Sequence, residues 1–158
     1  MQRLRREKTR NSTFADVMPE HRFKNMSRKY NWVDVAAGIV IKNRLILAVK
    51  RPQGKPLSGF WEFPGGKARP GESTEKALIR ELEEELSITP VSFRLWLRMK
   101  KSYHHLDAHV HFYLVHEFQG AVIPRENQET AWIEPDRIKV GPFLEADEEI
   151  LNQIALLI

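Results

Sequence analysis

The sequence predicts an α/β fold in which a mixed β-sheet is sandwiched between helices, and three observations support this prediction. Short β-rich runs lie on both sides of one strongly amphipathic helical segment, and a second amphipathic segment closes the chain. The 158 residues suit one domain with a substantial core. There is no cysteine, which excludes a disulfide scaffold, a thiolate zinc site and a thiol nucleophile.

The elements before the amphipathic helix follow from local patterns. Residues 33–41 and 45–49 are β-rich, and Lys42, Asn43 and Arg44 between them predict a hairpin. Residues 51–59 are rich in proline and glycine and predict a loop. A short strand at 60–63 and a tight turn at 64–66 are expected next.

The helix is expected to begin after a cap at Ser73 or Thr74 and to run to about Leu86, with Pro90 enforcing its end. Strands are predicted near residues 93–101, 108–118 and 130–133. A last helix over about 145–157 is expected to bury four apolar side chains, namely Ile150, Leu151, Ile154 and Leu157.

The basic charge is concentrated at one end of the chain. The net charge is +4, yet residues 1–30 alone carry +6, which leaves −2 for the remainder. We therefore expect a basic, disordered extension over residues 1–31 and one domain over residues 32–158. The extension is either an arm that touches nucleic acid or an upstream addition from a misplaced start codon, with Met26 as the natural start.

Targeting and membrane signals are missing from the sequence. The basic segment lacks the apolar core of a signal peptide, and no apolar run approaches the roughly 20 residues of a membrane span. We expect a cytoplasmic protein that makes no stable complex with nucleic acid and is a monomer or weak dimer.

The chemistry is predicted to lie on the first helix. At ~100° per residue, the apolar side chains of Leu78, Ile79, Leu82 and Leu86 share one side. Three glutamates cluster roughly 120° around the helix from them: Glu81, Glu84 and Glu85. Glu83 belongs to neither group and is expected to face solvent.

Three carboxylates on one helical stripe repel each other, and Arg80 offsets only part of this repulsion. A divalent cation would offset it fully, and oxygen ligands without His or Cys select Mg²⁺, with Mn²⁺ as a substitute. An isolated acidic run is more often a solvated surface. Here the run follows a Gly-Gly turn and Glu72, which favours a metal site.

The same residues resemble the Nudix box. Gly66, five residues, Glu72, seven residues and then the run RELEEELSI from Arg80 match its pattern at every position except Ser87, where glycine is usual. That glycine is expected to serve the helix C-terminus, where the left-handed conformation suits glycine. Over residues 33–158 the chain is most similar to MutT-like enzymes, which hydrolyse oxidised purine nucleotides.

The resemblance implies a Nudix-type α-β-α sandwich and a set of metal ligands. These are the carbonyl of Gly65 and the carboxylates of Glu81, Glu84 and Glu85. Glu126, on a later loop, stands where a further glutamate often completes the site, although it could equally be an ordinary loop acid. Arg80 is expected to orient a glutamate by a charge-assisted hydrogen bond and not to touch the substrate.

The resemblance also implies substrate contacts. Residues 61–67 match the stretch leading into the box, and we expect Glu62, Phe63, Pro64 and Gly65 to contact substrate. Arg51 stands where these enzymes carry a substrate-binding arginine, although it could be a plain surface charge. Asp147 matches a base-reading position, although the dipole of the last helix alone favours an aspartate in its first turn.

The implied activity is hydrolysis of a nucleoside triphosphate, 8-oxo-dGTP foremost, to the monophosphate and pyrophosphate. Removal of pyrophosphate from the 5′ end of RNA, hydrolysis of a pyrimidine triphosphate and a non-catalytic nucleotide-binding role are the alternatives. His109 and His111 alternate on a strand, so they share one face. They line the pocket or cover a solvated face, and such a pair can also bind a metal.

Overall fold

The structure, a computed structural model, describes residues 31–158. The predicted basic extension and its two interpretations fall outside this range. The described part contains seven strands and two helices: β1 (Trp32–Lys42), β2 (Leu45–Lys50), β3 (Trp61–Glu62), β4 (Gly65–Lys67), α1 (Thr74–Leu86), β5 (Thr89–Tyr103), β6 (Leu106–Gln119), β7 (Thr130–Ile133) and α2 (Glu145–Ile154). None of the helices described is long and apolar enough to cross a membrane.

The strands form the mixed sheet that the sequence predicts. Its main order is β3-β2-β1-β6-β5, with β4 paired to β1 and β7 paired to β2. β1 and β6 run parallel from the Trp32–Asp107 pair to the Val40–Val115 pair, while the other pairings are antiparallel. β1 therefore lies at the centre and joins the two halves of the sheet.

The hairpin between β1 and β2 is confirmed, with a two-residue turn. Asn43 and Arg44 have φ angles of 52° and 64°. Two successive positive φ angles give the turn whose twist matches the flanking strands.

The predicted turn at residues 64–66 is wrong in part, because Gly65–Lys67 forms β4 and pairs with Val35–Ala37 of β1. Gly65 has a φ of 147°, and a Cβ atom there would lie 2.0 Å from the carbonyl oxygen of Ala36. Only glycine allows this approach of the two backbones. The glycines of this segment therefore belong to the sheet.

One helix covers each face of the sheet. Leu78, Leu82 and Leu86 of α1 are fully buried against one face. Ile150, Leu151 and Ile154 of α2 are fully buried against the other face. Burial of such a side chain contributes about 1.5–3 kcal/mol, so the two apolar stripes fix both helices.

The structure corrects two boundaries. α2 ends at Ile154, and the expected burial of Leu157 is wrong because that side chain is 59% exposed. α1 ends because Ser87 adopts the left-handed conformation at φ 61°, ψ 29°. Pro90 does not end the helix; it already lies in β5, opposite Phe118.

Candidate active site

A cavity of about 350 Å³ opens beside the junction of β1 and β4. α1 supplies Glu81 and Glu85 to its wall, and α2 supplies Asp147. Arg51, Glu62, Phe63 and Gly65, which the sequence predicts to contact substrate, line the same cavity. Residues that are 96 positions apart in the chain therefore meet in one space.

α1 holds its acidic side chains where the helical spacing places them. Ser73 caps the helix by accepting a hydrogen bond from the Lys76 amide at 3.2 Å. Glu83 is exposed, as predicted. Glu84 is half exposed and does not contribute to the cavity wall, so the predicted stripe divides into two inner glutamates and one at the rim.

Glu85 is the most perturbed acid of this helix. Burial raises its pKa to about 8, and the negative charges of Glu81, Glu62 and Glu126 add to the effect. We call these four residues the carboxylate cluster. Four acids this close favour either a proton or a bound cation, because like charges in a partly buried site destabilise the ionised forms.

Gly66 makes room for one member of the carboxylate cluster. A Cβ atom at this position would lie 2.5 Å from the carboxyl carbon of Glu81 and 2.6 Å from one of its oxygens. The second glycine of the Gly-Gly pair is thus required by the close approach of α1 to β4.

Arg80 is surrounded by carboxylates. Its Nε and one terminal nitrogen donate to Glu72 at 2.8 and 2.9 Å, and the other terminal nitrogen donates to Glu81 at 2.7 Å. These hydrogen bonds lower the pKa of Glu72 to about 2. The hydrogen bond from Arg80 to a box glutamate is present, and the guanidinium does not line the cavity.

Arg51 is held by its own loop. Its terminal nitrogen donates to Glu62 at 2.6 Å, and its Nε donates to the carbonyl oxygen of Pro56 at 2.7 Å. Burial raises the pKa of Glu62, while the Arg51 charge opposes that rise. The pair fixes the loop of residues 51–59 to β3.

Glu126 lies outside the cavity wall and forms an ion pair with Lys55 at 3.0 Å. Its charge nevertheless reaches Glu85, whose pKa it helps to raise. Lys55 lines the cavity and was not predicted from the sequence. Its position in a Pro/Gly-rich loop gave no periodic signal by which to find it.

Asp147 is buried, with only 7% of its surface exposed. Its Oδ2 accepts a hydrogen bond from the Phe63 amide at 3.0 Å. Burial raises its pKa well above the usual range, and the charge of Glu62 adds to this. The contact with Phe63 gives Asp147 a tertiary role beyond any interaction with the helix dipole.

One expected substrate contact, Pro64, is placed differently. Pro64 is buried but does not line the cavity. Its carbonyl oxygen accepts a hydrogen bond from the Gly38 amide at 2.8 Å. Trp61 belongs to the core, whereas Phe63 serves both core and cavity. Tyr103 and His105, near the β5–β6 turn, also line the cavity. Tyr103 was not predicted, because only the register of that hairpin brings it there.

His109 and His111 do not line the cavity, so the first of their two predicted placements is wrong. Ala108 and Val110 face it, and the histidines alternate with them along β6. Both histidines instead contact Asp34, with nitrogen–oxygen distances of 3.1 and 3.2 Å.

The donors of the carboxylate cluster suit a hard divalent cation. They are carboxylate oxygens beside the carbonyl of Gly65, with no nitrogen or sulfur from the predicted ligand set. The raised pKa of Glu85 indicates that a bound cation would stabilise its ionised form.

The chain matches known proteins over this whole region. The NUDIX domain family matches residues 32–154. An 8-oxo-dGTP diphosphatase of Haemophilus influenzae is 37% identical over 124 residues, which cover 77% of this chain and 90% of that protein. A CTP pyrophosphohydrolase of Escherichia coli is 32% identical over 125 residues, covering 79% and 93% respectively.

Solved structures show the same fold. A structure from work on MutT of Aliivibrio salmonicida and Vibrio cholerae superposes with a TM-score of 0.69 at 33% identity, covering 80% of this chain and 99% of that one. The Escherichia coli ORF135 protein superposes with a TM-score of 0.71 at 31% identity, covering 81% and 91%.

Proposed function

Because this chain belongs to the NUDIX domain family, we propose that it is a Mg²⁺-dependent nucleoside triphosphate pyrophosphohydrolase. Its products are a nucleoside monophosphate and pyrophosphate. Mn²⁺ is expected to substitute for Mg²⁺, since both accept oxygen ligands. The substrate is a small nucleotide, and we propose that the enzyme acts as a monomer or weak dimer without a nucleic-acid partner.

One observation carries this proposal: glutamates of α1 and a buried aspartate of α2 line the same cavity. The glutamates are suited to a cation and its phosphates, whereas a single buried carboxyl beside apolar walls is suited to a base edge. Glu62 links the two groups, because its charge raises the pKa of both Glu85 and Asp147. A nucleotide with its phosphates towards α1 would use both.

The proposed reaction is attack of water on phosphorus. The water oxygen forms a new bond to one phosphorus, the bridging P–O bond breaks, and the bridging oxygen leaves with the other phosphoryl group. A carboxylate of the cluster, Glu85 or Glu126, accepts the proton of the water. When bound by Gly65, Glu81, Glu84, Glu85 and Glu126, Mg²⁺ would polarise the phosphate oxygens. Arg80 positions Glu81 through its 2.7 Å hydrogen bond.

For the base, we propose preference for 8-oxo-dGTP. An ionised carboxyl accepts hydrogen bonds only. 8-Oxoguanine has the N–H donors of the Watson–Crick edge of guanine and also an N7–H donor, where guanine has an acceptor. Oδ2 of Asp147 is held by the Phe63 amide, so the carboxyl has a fixed orientation. Relatives described as 8-oxo-dGTP diphosphatases agree with this choice.

The burial of Asp147 favours a second candidate, CTP. A neutral carboxyl carries one donor and one acceptor, which complement the ring N3 and the amino group of cytosine. The raised pKa of Asp147 favours this neutral form. A relative described as a CTP pyrophosphohydrolase supports the same candidate.

Two further alternatives remain less favoured. Removal of pyrophosphate from 5′-triphosphorylated RNA was suggested by the basic residues 1–30, which lie outside the described structure. A non-catalytic nucleotide-binding module would not need the glutamates of the box, and this chain has all three, Glu81, Glu84 and Glu85.

The test is a substrate panel with Mg²⁺, scored by kcat/KM and by product identity. It should contain 8-oxo-dGTP, dGTP, CTP and a 5′-triphosphorylated RNA. Release of pyrophosphate from 8-oxo-dGTP with the largest kcat/KM supports the main proposal, and the largest value for CTP supports the second. If no member of the panel is hydrolysed with Mg²⁺, the enzymatic proposal is contradicted.

A further inference from the structure

A second group of metal-ligating side chains lies on β1 and β6, outside the cavity wall. Asp34 on β1 stands in register with His109 on β6, and the next pair on the same face of the sheet is Ala36 with His111. Oδ1 of Asp34 lies 3.1 Å from Nδ1 of His109 and 3.2 Å from Nε2 of His111. The three ligand atoms lie within 4.8 Å of one another.

We propose that Asp34, His109 and His111 bind a transition-metal ion of the Zn²⁺ class. The bond lengths of tetrahedral zinc sites place neighbouring ligand atoms about 3.3 Å apart. The separations of 3.1 and 3.2 Å are already close to this value. Two of the three ligand separations therefore already suit the ion, and the third is within 4.8 Å.

The donor set separates this site from the carboxylate cluster. Two imidazole nitrogens and one carboxylate oxygen suit Zn²⁺, Co²⁺, Ni²⁺ or Cu²⁺, whereas oxygen donors alone suit Mg²⁺. His111 is buried at 8% exposure, and the side chain of Asp34 is 56% exposed. The site is thus anchored on its inner side and open on its outer side, where water can complete the coordination.

Neighbouring cationic side chains repel a bound metal ion and so lower its affinity. Nε of Arg98 donates to Nδ1 of His111 at 3.3 Å, which places the imidazole proton on Nε2, the nitrogen that must bind the ion. Arg98 is exposed, so it can turn into solvent when the tautomer changes. Lys100 stands in register with His109, and its Nζ lies 5.3 Å from the centre of the Trp32 ring.

One nearby acid favours a cation. Asp107 precedes His109 by two residues and so shares its face of β6. Its Oδ1 is buried and has no hydrogen-bond partner within residues 31–158. Its negative charge would offset part of the repulsion from Arg98 and Lys100.

The expected consequence is stabilisation of the sheet, because the ion joins two adjacent parallel strands. An ion that binds the folded state raises Tm with its free concentration. The inference goes beyond the proposed hydrolase function, and its test needs no turnover.

The test uses the full chain in saturating Mg²⁺, so that oxygen-donor sites are occupied. Zn²⁺ should raise Tm, and Co²⁺ should develop the visible absorption of a site with nitrogen ligands. His109→Ala and Asp34→Asn should each weaken Zn²⁺ binding at least about tenfold, since the first variant loses a ligand and the second loses the negative charge of one. His116→Ala, which removes an exposed histidine of the same strand, is the matched control and should bind like wild type.

Arg98→Ala provides the sharpest outcome: Zn²⁺ should bind several-fold more tightly, because a cation is removed and Nε2 of His111 is freed. Equal Zn²⁺ affinity in His109→Ala, Asp34→Asn and His116→Ala would mean adventitious binding and overturn the proposal. Weaker or unchanged binding in Arg98→Ala would also overturn the assigned ligand atoms. An unchanged effect of Mg²⁺ on Tm and an unchanged far-UV circular dichroism spectrum would show that the variants are folded.

Discussion

The two helices contribute to the same cavity in different ways. α1 begins with a side-chain cap at Ser73, and Arg80 links its carboxylates to one another and to the loop before it. α2 begins at Leu144 without a side-chain cap, and its buried face is apolar apart from Asp147. One helix presents charges, and the other presents a single polar group in an apolar surface.

This difference indicates which part of the proposed reaction each helix affects. The charges of α1 serve any nucleotide, because all triphosphates offer the same phosphate oxygens. Asp147 of α2 is beside Phe63 in the cavity and serves only the part of the substrate that varies. We therefore expect changes in α1 to alter the rate for all substrates alike, and changes in α2 to alter their order.

The largest expected effect belongs to α1. Glu85→Gln should lower kcat about 10²–10⁴-fold for every nucleotide, because a proton acceptor and a ligand are lost together. Glu83→Gln is the control, since Glu83 is exposed and, within residues 31–158, its carboxylate accepts a hydrogen bond only from Thr89. Steady-state pyrophosphate release measures both. A Glu85→Gln enzyme with nearly normal turnover would remove Glu85 from the proposed chemistry.

The next effect belongs to α2. Asp147→Ala should reduce the ratio of kcat/KM for 8-oxo-dGTP over dGTP by one to two decades, because a hydrogen bond to a charged group is worth about 1.5–3 kcal/mol. In the same variant, kcat for dGTP should change little. The same measurements at several pH values should show 8-oxo-dGTP gaining on CTP as pH rises and Asp147 ionises. An unchanged substrate order in Asp147→Ala would contradict the division between the helices.

A smaller effect concerns stability without divalent cations. The pKa of Glu85 is raised to about 8 from 4.5, so its contribution is complete below about pH 4.5 and is lost as pH rises towards 8. Asp147, also raised, acts in the same direction. Glu85→Gln and Asp147→Asn should therefore each raise Tm by a few degrees at pH 8 in chelator.

Mg²⁺ should distinguish these two variants. In wild type it should restore the stability that Glu85 loses, so the advantage of Glu85→Gln disappears, whereas the advantage of Asp147→Asn remains. Thermal denaturation between pH 5 and pH 9, with and without Mg²⁺, measures both. An advantage of Glu85→Gln that Mg²⁺ leaves unchanged would place the cation elsewhere.

The smallest effect lies at the end of α1. Ser87 adopts the left-handed conformation, which costs a non-glycine residue roughly 1 kcal/mol. Its Oγ also accepts a hydrogen bond from Arg125 at 2.5 Å, so Ser87→Gly alone combines a gain with a loss. Ser87→Gly should therefore be more stable than Ser87→Ala by about 1 kcal/mol in urea denaturation. Equal stability would mean that the backbone there is not strained.

Local sequence was sufficient to predict the helix α1 and the spacing of its glutamates. Residues three and four apart share a helical face whatever surrounds the helix, so the prediction of an acidic stripe needed no knowledge of the fold. The left-handed end of the helix was likewise foreseen at Ser87, because the preference of that conformation for glycine is local.

Which of these glutamates face the cavity, and which other side chains line it, depends on the tertiary structure. Glu84 is half exposed and does not line the cavity, and Gly65–Lys67 forms a strand. Tyr103 and His105 line the cavity because of the register of β5 with β6. Asp34 met His109 and His111 only because β1 pairs with β6 across 75 residues. Local spacing is fixed by backbone geometry, whereas contacts between distant segments depend on strand register, which the sheet as a whole sets.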